Sequence, residues 1–492
     1  MNYKDTKLIQ FLCTFSKEEL YDFEKFLNSP YFKKGRDPLP LFKVLTDDPS
    51  KLTADELNEE IVFRKLYPGS KYKDKNSHAL FRNVSSSLLK SVEDFIYISK
   101  LKEDKVLRSR IILSEIIERN LTRHYPQYLK PAYEAIEQDE IKSGSDELEK
   151  YHLERLNSRF YSVMLDMEKY FVHGAKSFEH LSFHFFTELI NSAKADFYGL
   201  DNLMIKNSER IPEQILNSID LEKIINIFRG KDYYTHLYFN FNMYLFHRDN
   251  KKEFYENAHD IFFENKNKIS RADMCAFYAD LMSIHFTGNS PNMKEEKLKI
   301  FELIKSCLDD NAFKISDEDF MHPNFYRNAL LCADYLKEFD WAEKFISDYT
   351  SELKPEFRQN MKHYSLALIN YGKGKYEESL AYIGKVKYEM VFFKTDVKIL
   401  MLRLFYELKL YDQAYSMVDA LKHHTRISEI MDADKRESFM KYLNYYLKLL
   451  KISSLESRTS KSEAGILKKE LSQDKKVYQN LWLFEKLDEM MN

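Results

Sequence analysis

The chain has 492 residues, of which only 11 are glycine and 11 proline. Together these make up under five per cent of it, against about 12% in an average globular chain, which excludes collagen-like and low-complexity chains and disfavours a turn-rich sandwich or barrel. With 75 Lys and Arg against 78 Asp and Glu, the net charge of −3 excludes a whole-molecule attraction to nucleic acid or anionic lipid.

An almost wholly helical chain is therefore predicted, with 37 Phe and 34 Tyr to fill its core. Met1 to Phe15 lacks the long apolar stretch of a signal peptide, and no window approaches the length of a membrane span. Cys13, Cys275, Cys307 and Cys332 form no close pair. A soluble cytoplasmic protein with reduced thiols is the expectation.

In chain order, Ser16 and Glu19 form a capping box, after which Leu20, Phe23 and Leu27 share one helical face until Asn28, Ser29 and Pro30 end it. Thr53 with Glu56 repeats the device for a helix running to about Leu66. A long helix follows from about Asp74 to Leu101, with Leu80, Val84, Leu88 and Val92 at helical spacing. Long helices are expected over 106–200, broken near Pro126, at Ser143 to Ser145 and near Gly174. Beyond Pro212 the apolar runs look paired: 233–246 with 251–263, then 271–286 with 293–308.

Towards the end a period of 35 residues emerges. Trp341, Tyr376 and Tyr411 each follow an apolar helix (328–336, 364–371 and 398–408) and each opens a second one. Here the sequence resembles the tetratricopeptide family, whose repeat is a helix-turn-helix of about 34 residues. Cys332, Ala367 and Leu402 stand where that family wants a small residue on the first helix. Ser379 and Ala414 supply the one on the second, whereas Lys344 departs from it. The resemblance covers about 323–424 and implies an α-solenoid whose first helices line a concave groove. Carried over position by position, the groove residues are Tyr326, Leu336, Lys337, Tyr364, Tyr371, Arg403 and Tyr406. A second string, Phe15 to Leu20 with Phe26 to Phe32, resembles the start of uncharacterised bacterial helical proteins and implies no activity.

Other residues bear on function less directly. His180, His184 and Glu188 fall on one helical stripe, but phenylalanines surround them and a closed metal site needs ligands from more than one helix. They are read as packing residues, and the pair His423 and His424 as surface. The stretch 64–110 carries an excess of seven basic residues, with Tyr67 and Tyr72 among them, a mixture suited to phosphates and bases. Gly372 and Gly374 form the one G-x-G, and Glu377 stands at the third glycine's place. No phosphate-binding or nucleophile-elbow motif exists. No catalytic residue, metal or cofactor is nominated, and the chain is not expected to be an enzyme.

The resulting expectation is an all-α protein. It comprises a helical N-terminal domain (1–104), a long-helix region (105–210), divergent helix pairs (211–322), tetratricopeptide-like repeats (323–424) and C-terminal capping helices (425–492). Its expected role is a scaffold that binds a protein or peptide on the concave face. The alternative is a nucleic-acid-associated regulator using 64–110, with the repeats as its sensing or oligomerising half.

Overall fold

The computed structural model describes all residues except 1–2, 33–35, 48–57, 73–74, 138–143, 204–209, 284–292, 388–390, 428–432, 455–456, 475–476 and 479. Among the described residues the chain is all-α, with 24 α-helices, short 3-10 turns and no strand. None of these helices is long and apolar enough to cross a membrane. The chain divides into two compact units, Met1–Asp139 with Glu149–Glu179, and Glu140–Leu148 with His180–Asn492.

The first unit opens with α1 (Lys7–Cys13), α2 (Lys17–Asn28), α3 (Leu39–Thr46) and α4 (Glu59–Leu66), followed by the long α5 (Lys75–Glu103). The capping box at Ser16 is formed: its hydroxyl accepts from the Glu19 amide at 3.1 Å, and the Glu19 carboxylate accepts from the Ser16 amide at 2.8 Å. Thr53 and Glu56 lie outside the described residues, and α4 is capped by the Asn58 side chain. Helices α1, α2 and α3 pack on α5. The buried stripe of α5 contains Val84, Leu88 and Val92 as expected, together with Phe81 and Phe95, while Leu80 is exposed. Phe81 takes the core position in its place, packing on Tyr3 and Phe63 at 5.9 Å each, and further along the helix Phe95 meets Phe23.

Next come α6 (Lys105–Glu118) and α7 (Tyr125–Glu137), then two long helices, α8 (Gly144–Val163) and α9 (Met167–Leu203), each of which continues across the division. A core between α6, α7 and α8 is organised by a buried polar chain. The Tyr125 hydroxyl donates to Asn157 at 3.0 Å, Asn157 donates to the Tyr133 hydroxyl at 3.1 Å, and that hydroxyl donates to Glu154 at 2.6 Å. No break occurs at Gly174. It lies inside α9, facing Ser158 of α8. The break falls instead at Leu165, an apolar residue in the left-handed region (φ 59°), and Asp166 caps α9 by accepting from the Lys169 amide.

The second unit contains the rest of α9, followed by α10 (Ile211–Asn217), α11 (Leu221–Ile227), α12 (Tyr234–Asp249), α13 (Lys252–Asn265), α14 (Arg271–Ser283) and α15 (Met293–Asp309). It continues with α16 (Pro323–Leu336), α17 (Phe339–Tyr349), α18 (Pro355–Gly372), α19 (Tyr376–Ile383), α20 (Val391–Glu407) and α21 (Tyr411–Ile427). It ends with α22 (Ala433–Ser453), α23 (Ser457–Gln473) and α24 (Asn480–Met491). From α11 onward each helix packs on its successor, while α16, α18 and α20 also pack on one another in turn. Helix α12 is buried on nearly all sides, and the amide side chains on it are engaged: Asn240 accepts from Lys194, which is ion-paired with Asp280. All four cysteines are free thiols.

Candidate interaction surface

Three successive helix pairs, α16–α17, α18–α19 and α20–α21, share one backbone turn. The residue in the left-handed region is Lys337 (φ 61°), Gly374 (φ 74°) and Lys409 (φ 57°) in turn. The next amide reaches back to the first helix each time: Glu338 to Ala333 at 2.9 Å, Lys375 to Asn370 at 2.8 Å and Leu410 to Phe405 at 2.8 Å. This closure satisfies carbonyls that a helix end leaves unpaired. The intervals are 37 and 35 residues. Phe339, Tyr376 and Tyr411 therefore open the second helices, while Trp341 sits two residues further in. Its indole packs on Phe301 of α15 at 4.7 Å and on Phe345 at 5.1 Å.

The same register places Ala342, Ser379 and Ala414 in equivalent buried positions, and Lys344 is exposed. On the first helices, Asp334, Tyr371 and Tyr406 each precede the left-handed residue by three. Gly372 is required at its place, because a side chain there would meet the Phe339 ring at 2.5 Å and the Asp334 carboxylate at 2.6 Å.

The expected groove residues do not share one surface. Tyr326 and Tyr364 are fully buried and cannot meet a partner. The Tyr326 ring packs on Phe345 and its hydroxyl lies 2.8 Å from that of Thr350. Both belong to the packed core between helices. Leu336 is half-buried against the core, and Lys337 is the exposed turn residue. Tyr371, Arg403 and Tyr406 do come together, but around another side chain of the same protein, Trp482 of α24.

Helix α24 lies on this surface through a buried face of Trp482, Leu483, Lys486 and Leu487. The indole N–H of Trp482 donates to the Tyr371 hydroxyl at 2.7 Å. Tyr406 meets the indole edge to face at 5.3 Å, Tyr446 stacks on it at 5.9 Å, and the Arg403 guanidinium lies 5.7 Å from its centroid. One turn on, Lys486 pairs with Glu407 at 2.8 Å and with Glu489 at 2.9 Å. Burial opposes the charge of Lys486, but hydrogen bonds to those two carboxylates hold its pKa above the ordinary lysine value. Burial raises the Tyr371 phenol, against the opposing charge of Arg403.

Asp334 is pushed up to about 6, chiefly by burial, with Arg403 opposing and Glu485 of α24 adding to the rise. Below the surface, Arg327 of α16 forms an ion pair with the buried Asp396 of α20. Trp482, Lys486, Glu407 and Asp334 were missed by sequence reasoning. The available signal was the amphipathic run Leu481 to Leu487, which carries one of only two tryptophans.

His180 binds the Glu147 carboxylate at 2.7 Å, and among the described residues no group of three His, Cys, Asp or Glu is placed to hold a metal. His423 is exposed, and the side chain of His424 lies outside the described residues. In the basic stretch, the half-buried Tyr67 and Tyr72 pack on Phe63 at 5.3 and 5.4 Å. Arg64 and Lys100 are paired with Glu60 and Glu103, and Arg110 with Glu149. In comparison with known proteins, no family model, no curated protein and no solved structure matches the chain.

Proposed function

We propose that the chain is a non-enzymatic scaffold that binds a helical segment of a protein partner on the face carrying Tyr371, Arg403 and Tyr406. The observation that carries this reading is the seating of α24. An aromatic anchor enters a cradle of tyrosines and arginine, with a lysine paired at its rim, which is how an amphipathic helix is held in a groove. The recurrent turn supports a tetratricopeptide-like arrangement, with a first interval of 37 residues. In this reading a partner segment competes with α24, and α24 describes the chemistry of what the face accepts. The reduced cysteines fit a cytoplasmic setting.

The test is recovery of partners on the full chain from its native host, in parallel with Tyr371→Ala/Arg403→Ala/Tyr406→Ala and with Trp482→Ala. A protein recovered on the native chain, enriched by Trp482→Ala and lost with the triple variant is the expected result. Retention on a folded triple variant puts the site elsewhere. Recovery of nucleic acid that falls steeply with salt replaces this reading with the regulator that uses 64–110.

A further inference from the structure

The first unit contains a cleft of about 590 Å³, open to solvent, between α6 and α8 with the start of α9 at one end. Its volume falls within the range of small-molecule sites. Its lining has a definite chemistry. Arg110, Arg155 and Arg159 contribute three guanidinium groups and His152 an imidazole, and no carboxylate lines it. Leu107, Ile111 and Leu156 supply an apolar wall.

The charge in the cleft is only partly cancelled. Glu149 holds Arg110 with two bonds of 2.7 and 2.8 Å, and Glu118 stands 3.6 Å from Arg159. Arg155 makes no hydrogen bond or ion pair among the described residues, and neither do the hydroxyls of Ser114 and Ser162 on the lining. Burial and the charge of Arg110 together hold His152 below the ordinary imidazole value, the direction expected where the local potential is positive.

The geometry points to a binding site for a phosphate monoester with an apolar body. A guanidinium fork matches phosphate oxygens, two such groups with hydroxyl donors suit a dianion better than a monoanionic carboxylate, and the leucine and isoleucine wall accommodates the organic part. This site shares no residue with the surface under α24, and it stands or falls independently of the scaffold reading.

Titration calorimetry of the full chain with phenyl phosphate, and with benzoate at matched ionic strength, tests it. One phenyl phosphate per chain is expected, bound at least about tenfold more tightly than benzoate. Arg155→Glu weakens that binding by about tenfold or more, and Ser162→Trp, which fills the cleft without changing charge, abolishes it. Both positions are exposed, and circular dichroism with thermal melting checks that each variant folds. Absence of binding overturns the proposal, as does equal affinity for benzoate. So does binding that survives either substitution in a folded variant: survival in Ser162→Trp would reduce the effect to surface charge.

Discussion

The turn between α8 and α9 and the three turns from α16 to α21 are built alike, yet their surroundings are opposite. In both regions one residue takes the left-handed conformation, non-glycine at every turn but that of Gly374, and the next amide closes back on the helix, from Asp166 to Tyr161 at 3.0 Å in the first case. Around Leu165, which is 83% exposed, Val163, Met164, Met167 and Phe171 also face solvent. Around the later turns, Phe339, Tyr376 and Tyr411 are half-buried, and Tyr371 and Tyr406 lie under Trp482. The turn is a local device that satisfies its own carbonyls. Cover for the apolar residues beside it comes from elsewhere, and in the C-terminal region α24 provides it.

If that cover is a structural element, Trp482→Ala gives the largest effect. Removing a 4% exposed indole with Tyr371, Tyr406, Tyr446 and Arg403 as neighbours costs about 3 to 5 kcal/mol by analogy with other large aromatic truncations. Denaturant unfolding measures it, and an unchanged midpoint would mean that α24 is only loosely held.

Two aspartates next to the turns sharpen the contrast through pH. Asp334 has a folded-state pKa of about 6, above the ordinary 3.8, so the folded chain holds this proton more tightly than the unfolded one. Stability from this group falls as pH rises from about 4 to 6 and stays reduced above. Asp334→Asn is thus expected to match the parent at pH 4 and to exceed it at pH 7 by up to about 2 kcal/mol, allowing for partial exposure. Asp166 behaves oppositely. The Lys169 amide, followed by its side chain, holds this carboxyl below the ordinary value, so its contribution is present at neutral pH and is lost on acidification. Urea midpoints at both pH values separate the two slopes.

A ring at a periodic position that opens a second helix is expected to be buried, so the period alone assigns Tyr376→Ala a cost of about 3 to 5 kcal/mol. The ring is half-buried, packed on Tyr371 at 5.5 Å, and a loss of about 1 to 2 kcal/mol now follows, measured by the same unfolding. This difference marks where the sequence was legible. Helix content, the Ser16 cap and the pairing of helices near the C-terminus follow from local composition and spacing. The register of the first pair did not, because Trp341 mimicked the period while its indole was recruited by Phe301 of another helix. Leu165 was invisible as a turn because it lacks the glycine or asparagine that usually marks one, although Asp166 was a readable cap. The identity of what lies on Tyr371, Arg403 and Tyr406 depends on a contact across 111 residues, from Tyr371 to Trp482, which no local pattern encodes.

The smallest expected effect tests the shared turn itself. A residue with a Cβ in the left-handed region carries roughly 1 kcal/mol of strain that glycine avoids, offset in part by the greater chain entropy glycine loses on folding. Lys409→Gly and Leu165→Gly should therefore each stabilise by about 0.5 to 1 kcal/mol, and by similar amounts, because the backbone geometry is the same (φ 57° and 59°). The two side chains differ in chemistry, so equal gains separate backbone strain from anything they touch. If Leu165→Gly instead destabilises while Lys409→Gly stabilises, the exposed leucine makes a contact worth more than its strain, and the α8–α9 turn is held by its apolar surroundings and not by its own hydrogen bonds.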